Sequence, residues 1–134
     1  MLSEKQAESL FDQANFLYVE DATEALQLLG QYCREIFKGK VLGITGSNGK
    51  TIVKEWIWQL LRDNLSISRS PGSYNSRLGV PLSLSMLSED SHLGLIEAGI
   101  SQQGEMQRLQ NMIQPDWGLL THIGQAHQEN FSSV

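Results

Sequence analysis

Val41-Leu42-Gly43-Ile44-Thr45-Gly46-Ser47-Asn48-Gly49-Lys50-Thr51 is an apolar run that breaks into a glycine-punctuated turn and then into a helical pattern. It reads as strand, phosphate loop and helix start. Glycines at 46 and 49 let the backbone bend until successive N–H groups converge on one anion, and the following helix aims the positive end of its dipole at the same point. Lys50 adds a full charge. The Thr51 hydroxyl falls beside the phosphates, where a Mg²⁺ that keeps most of its water takes it as one oxygen ligand. The usual first glycine of such a loop would stand at position 44, where this chain has Ile44, with Gly43 and Gly46 to either side. The motif is therefore strictly Gly46-x-x-Gly49-Lys50-Thr51. The competing interpretation is a glycine-rich strand-to-helix turn with a surface lysine.

On the N-terminal side, Asp21 and Glu24 have capping-box spacing ahead of an apolar stripe of Ala22, Ala25, Leu26, Leu29, Cys33 and Ile36. This predicts a helix that stops near Gly39 in a left-handed turn. Ser3 and Gln6 repeat the spacing before Ala7, Leu10, Phe11 and Ala14, which predicts an earlier helix over about 3–14. Phe16-Leu17-Tyr18-Val19 is a short β-prone run between them.

On the C-terminal side, the helix opened by the phosphate loop is expected to bury Ile52, Val53, Trp56, Ile57, Leu60 and Leu61 and to expose Lys54, Glu55, Gln59 and Arg62. Leu65-Ser66-Ile67-Ser68-Arg69 reads as a strand, and Pro81 suits the first turn of the next helix. Leu93-Gly94-Leu95-Ile96 reads as a buried strand ending on Glu97. Met106, Leu109 and Ile113 mark another helix, and Trp117-Gly118-Leu119-Leu120-Thr121 a last strand. Val41 to Ile44 is apolar without alternation, as in a strand covered on both faces and central in a parallel sheet. Strands and helices alternate throughout. The expected architecture is α/β, a parallel sheet wrapped by helices with right-handed crossovers, of the P-loop NTPase type.

The bulk composition limits the partners. The 134 residues, 40% of them hydrophobic, make one domain's worth of chain with a real core, and a net charge of -5 leaves no basic surface for a nucleic-acid backbone. A single cysteine, Cys33, is read as core packing in a cytoplasmic protein, and no apolar run is long enough for a membrane span.

Ligands on parallel sheets bind at the carboxyl ends of the strands. Three features fall there: the phosphate loop after Ile44, Glu97 after Ile96, and His127 in the loop beyond Thr121. Thr51 and Glu97 offer hard oxygens to Mg²⁺, and a neutral imidazole at His127 suits Mn²⁺ or a less ideal Mg²⁺ site. The alternative for Glu97 is a structural ion pair, and for His127 a solvated or capping loop histidine. His92 and His122 are assigned to structure. Asn75 and Ser76, framed by Tyr74 and Gly79, are either ordinary turn formers or hydrogen-bonding groups for a substrate.

Together these residues resemble the central ATP-binding domain of the Mur ligase superfamily, whose phosphate loop has the Thr-Gly-x-Asn-Gly-Lys-Thr form found at Thr45 to Thr51. The segment Glu97-Ala98-Gly99-Ile100-Ser101-Gln102-Gln103-Gly104-Glu105-Met106, with His122-Ile123-Gly124-Gln125-Ala126-His127, is similar to the branch that joins D-alanyl-D-alanine to UDP-N-acetylmuramoyl-tripeptide. Ser73-Tyr74-Asn75-Ser76-Arg77-Leu78-Gly79-Val80-Pro81 resembles the family's Asn-x-Asn-Asn-x-x-Gly-x-Pro, with serine at 73 and 76 where asparagine is usual. His127-Gln128-Glu129-Asn130-Phe131 is similar to the ligase half of bacterial fusions that carry a C-terminal alanine racemase.

The resemblance implies that residues 1–20 are the tail of a UDP-binding N-terminal domain and linker, and that residues 21–134 are the first part of the central ATP-binding domain. It implies a fragment of a ligase that uses ATP and Mg²⁺ to activate the carboxylate of a UDP-muramoyl-peptide as an acyl phosphate, which D-alanyl-D-alanine then converts to an amide. Gly46, Ser47, Asn48, Gly49, Lys50 and Thr51 would bind the nucleotide. Lys50, Glu97 and His127 would serve catalysis, Thr51, Glu97 and His127 would hold metal, and Asn75 and Ser76 would meet substrate. Two alternatives are a folylpolyglutamate synthase-like ligase, against which the Glu97 to Glu105 run argues, and a nucleotide-binding module without ligase activity.

Overall fold

A computed structural model describes residue 15, residues 17–100, residue 102 and residues 104–124. Asp21 opens helix α1 (Ala22–Ile36), its side chain accepting from the backbone N–H groups of Thr23 and Glu24. The cap satisfies two of the donors that a helix start leaves without partners. After α1 come β1 (Lys40–Thr45), α2 (Lys50–Leu61), β2 (Ile67–Arg69), α3 (Gly79–Ser85), β3 (Leu93–Glu97), α4 (Glu105–Ile113) and β4 (Trp117–Leu120). The helix expected over residues 3–14 lies outside the described residues.

The strands form one parallel sheet in the order β2-β3-β1-β4, so β1 is flanked on both sides, as its unbroken apolar run requires. Register places Ile44 opposite Glu97 and Thr45 opposite Leu120. The phosphate loop, Glu97 and the segment after β4 therefore leave the sheet at one edge. On one face Val41 and Ile96 pack with Phe37, Val80, Leu84, Leu109, Met112 and Ile113 beneath α1, α3 and α4. On the other, Ile44, Leu93 and Leu95 pack with Ile57, Trp58 and Leu119 beneath α2.

Three local expectations fail. Residues 17–19 are not a strand. Among the described residues they have no sheet neighbour, and both Leu17 and Tyr18 are exposed. Gly39 does not stop α1 in a left-handed conformation, because the helix already ends at Ile36 with an extended Phe37. Gly39 is needed for space instead, since a Cβ there would meet the Phe37 ring and the Ser91 carbonyl at 2.5 Å.

The third failure is the face of α2. Lys54 is fully buried, while Ile52, Trp56, Leu60 and Leu61 are exposed. At 3.6 residues per turn Ile52 and Trp56 lie about 160° from Lys54, so burying Lys54 turns them outward. Val53, Ile57 and Trp58 keep the inner position.

Asp116 ties the start of the sheet to two helices. One carboxylate oxygen takes the Lys40 ammonium at 2.6 Å, and the other accepts from Val41 N at 2.9 Å and meets Arg34 at 3.3 Å. Arg34 also donates to the Ile113 and Gln114 carbonyls, each at 2.8 Å, where the chain turns through a left-handed Gln114. The hydrogen bond from Lys40, then that from Val41 N, holds the Asp116 carboxyl below its usual 3.8. A depressed folded value means that the carboxylate's contribution is present above the usual carboxylate range and is lost as pH falls through the folded value. Asp116→Asn should therefore lower stability by about 1 kcal/mol at neutral pH, solvent screening keeping the effect small. The gap from the parent should close in strongly acidic solution, measured by denaturant unfolding at a series of pH values.

Candidate active site

Gly46 and Gly49 both have positive φ, 131° and 85°, so the turn expected at the end of β1 is built on the two residues that adopt it without strain. A Cβ on Gly46 would collide with the Thr121 hydroxyl and lie 2.9 Å from His122 N. Gly49 is the cap residue of α2 and has no side chain to satisfy the helix's first N–H groups, which leaves them directed at the loop. Lys50 folds back so that its ammonium donates to the Gly46 carbonyl at 2.7 Å. The Lys50 cation and the uncapped helix start thus lie together at the loop, the combination a polyphosphate needs.

The loop is strapped from its far side by the segment after β4. Ser47 N donates to the His122 carbonyl at 2.7 Å, Thr121 donates its hydroxyl to the Asn48 carbonyl at 2.6 Å, and Gly124 N donates to the Ser47 hydroxyl at 2.9 Å. These contacts fix the loop's shape before any ligand arrives. Such preorganisation gives oriented dipoles their effect on a developing charge.

Glu97 ends β3 and is fully buried. Thr51, in the first turn of α2, donates its hydroxyl to Glu97 Oε2 at 3.1 Å, and Asn75 Nδ2 approaches the same oxygen at 3.4 Å. Adjacent ligands of an octahedral Mg²⁺ lie about 2.9 Å apart, so the Thr51 and Glu97 oxygens have the spacing of two such ligands. Glu97 Oε1 is buried without a hydrogen-bond partner, a second sign that the carboxylate suits a cation. Lys54 stands 2.9 Å from that oxygen, within ion-pairing distance but not in hydrogen-bonding geometry. The ion-pair alternative for Glu97 is thus present in the same carboxylate that meets Thr51.

Of the residues singled out from the sequence, Gly46, Ser47, Asn48, Gly49, Lys50, Thr51, Glu97 and Asn75 gather at this edge. Ser76 turns away, its hydroxyl accepting from Gly79 N at 3.2 Å at the start of α3. His127 lies outside the described residues. His122 contributes its backbone to the loop strap and keeps an exposed side chain, while His92 is exposed beside β3. Among the described residues no three His, Cys, Asp or Glu side chains converge as a metal cluster.

Sequence reasoning missed Lys54, Ser70 and Thr121. Ser70 is buried and accepts from Glu97 N at 3.1 Å, while its own carbonyl takes the Lys54 ammonium at 2.7 Å. The signal for Lys54 was its place three residues after Thr51, which puts both on one helical face. Thr121 carried none, since its partner is a carbonyl remote in sequence.

The model of the Mur ligase middle domain matches residues 44–134. UDP-N-acetylmuramoyl-tripeptide--D-alanyl-D-alanine ligase of Rickettsia prowazekii is 35% identical over 97% of this chain and 29% of the relative. The protein of that name in Bacillus subtilis is 32% identical over 87% of this chain and 26% of the relative. The chain thus spans less than a third of the length of these relatives. Among solved structures, MurF from Acinetobacter baumannii superposes with a TM-score of 0.81 at 35% identity, over 86% of this chain and 26% of that one. MurF ligase from Thermotoga maritima in complex with ADP gives 0.75 at 26% identity, over 94% and 34%. With a parallel sheet, a glycine loop and a buried acid at its edge, and the family model matching most of its length, the chain belongs to the Mur ligase middle-domain family.

Proposed function

We propose that the full protein is an ATP-dependent ligase that joins D-alanyl-D-alanine to UDP-N-acetylmuramoyl-tripeptide in peptidoglycan synthesis, and that this chain supplies the phosphate-binding part of its nucleotide domain. The observation that carries the reading is the Thr51 hydroxyl on the buried Glu97 carboxylate, 3.1 Å apart beside the loop that holds Lys50. A surface turn with an incidental lysine has no reason to bury a carboxylate against the following helix. The names of the similar ligases and the ADP bound to one structural neighbour support the same reading. Among the described residues no helix is long and apolar enough to cross a membrane, which fits a reaction in the cytoplasm. Residues 21–134 act as the front of the central domain, a division supported by the Asp21 cap that opens α1, and residues 1–20 as the tail of the preceding domain and linker.

In this reaction a carboxylate oxygen of the peptide attacks the γ-phosphorus of ATP, ADP leaves, and an acyl phosphate forms. The amine of D-alanyl-D-alanine then attacks the acyl carbon, loses a proton and expels inorganic phosphate, leaving the amide. Lys50 and the loop N–H groups other than that of Ser47, which holds the His122 carbonyl, stabilise negative charge on the transferring phosphoryl group. Thr51 and Glu97 would hold one Mg²⁺, and His127 would help to hold a second cation. Bound there, the metal neutralises charge on the phosphate oxygens. Asn75, hydrogen-bonded to Glu97, orients the peptide substrate, while the Ser76 hydroxyl is taken up at the start of α3. Every side-chain role is electrostatic or positional, and no side chain acts as nucleophile.

Lys50→Ala in the complete enzyme should reduce turnover by ~10²-fold or more, the scale for removing one preorganised charge stabiliser. Steady-state ligation assays check this, and an unchanged rate would remove Lys50 from the site. The 134-residue chain by itself should bind ATP without making the amide. Holding both reactants in place is worth up to ~7–11 kcal/mol, and the surfaces for amine and UDP-sugar are expected on other domains. Incubation with ATP, Mg²⁺, UDP-muramoyl-tripeptide and D-alanyl-D-alanine should give no pentapeptide by mass spectrometry.

A further inference from the structure

Lys54 has no exposed surface, yet its ammonium sits among oxygens only: Glu97 Oε1 at 2.9 Å, Glu55 Oε1 at 3.3 Å, the Ser70 carbonyl at 2.7 Å and the Gly72 carbonyl. Glu55 is also paired with Arg69 at 3.1 Å. The Glu97–Lys54 pair thus continues through Glu55 to Arg69, two cations against two carboxylates, with Lys50 in the adjoining phosphate loop. A bare dication brought to this edge meets a carboxylate whose charge is already balanced. The lone pairs of Oε1 are not satisfied by Lys54, because the ammonium approaches without hydrogen-bonding geometry. Charge balance and ligand capacity are thus separated in the same side chain.

We propose that Lys54 is a positioning residue that makes cation binding at Glu97 conditional on nucleotide. This rests on the metal role given to Thr51 and Glu97 above. In the nucleotide-free chain the Lys54 ammonium holds the Glu97 carboxylate in place and cancels its field, so a free divalent cation gains little by binding. When a nucleotide occupies the loop, its phosphates add the negative charge that offsets Lys50 and Lys54, and the cation joins Thr51 and Glu97 with Lys54 still in place. The site thereby takes a metal–nucleotide complex in preference to the metal alone. The same ammonium anchors the carbonyls at 70 and 72, at the root of the loop that brings Asn75 to Glu97, so one charge fixes both ligand and loop.

The test compares the parent chain, Lys54→Met and the double variant Lys54→Met/Glu97→Gln by thermal unfolding, with MnCl₂ alone and with MnCl₂ plus ADP. In Lys54→Met the Mn²⁺ concentration giving half of the stabilising shift without nucleotide should fall by about tenfold or more relative to the parent, because a repelling charge next to the cation has gone. The parent should approach that response only when ADP is present, and the double variant should show no response to Mn²⁺ alone. A Lys54→Met chain that responds to Mn²⁺ alone as the parent does, while the parent responds to Mn²⁺ with ADP, overturns the inference and leaves the metal reading intact. If no chain responds to Mn²⁺ even with ADP, the metal reading itself fails. Should Lys54→Met not fold, the stranded carboxylate is the expected cause, and the double variant should recover the fold. A double variant no more stable than the single one also overturns the inference.

Discussion

A carboxylate and an ammonium, each with no exposed surface, meet at 2.9 Å between Glu97 and Lys54, and the arrangement of the carboxyl edge follows from that contact. Taking two charges out of water costs several kcal/mol for each ion, and their attraction repays this only when the rest of their hydrogen-bonding capacity is met. Lys54 meets most of its own through the Ser70 and Gly72 carbonyls. Glu97 meets part of its own through Thr51 and Asn75 and keeps one oxygen unpartnered. The pair is thus an expensive way to hold a helix against a sheet. A hydrophobic pair of the same volume would hold it as well, and the retained cost points to chemistry at Glu97.

The contact also sets the orientation of α2. With Lys54 and Thr51 facing β3, the helix presents Ile57 and Trp58 to the sheet and Ile52, Trp56 and Leu60 to the outside. Its N-terminus then points along the phosphate loop, which the Thr121, His122 and Gly124 contacts close from the opposite side. Loop, helix and acid are held by three separate parts of the chain, and the parallel register of β1 with β3 and β4 puts all three at one level.

The alternation of strands and helices, the central place of β1, the Asp21 cap and the left-handed glycines were legible in the sequence, because each follows from interactions within a few residues or from a repeating pattern. The same local logic identified the positions of Thr51, Glu97 and Asn75 as candidates. It failed for residues 17–19, whose β-preference finds no neighbouring strand among the described residues, and for Gly39, which is required by the Phe37 ring and Ser91 instead of by its own backbone. It failed most plainly for α2. Counting charges as outward placed Lys54 in solvent, and only the distant Glu97 carboxylate makes its burial tolerable.

By itself the sequence determined the fold class and the phosphate loop, since period, capping and backbone freedom are properties of short segments. The tertiary structure alone decided which oxygens meet, which face of α2 is inside, and that Asn75 serves Glu97. Those outcomes depend on groups 22 to 77 positions apart, from Asn75 and Glu97 to Ser47 and Gly124, brought within hydrogen-bonding distance by strand register. A buried charge is stable only beside its partner, and the partner's position is a property of the whole sheet.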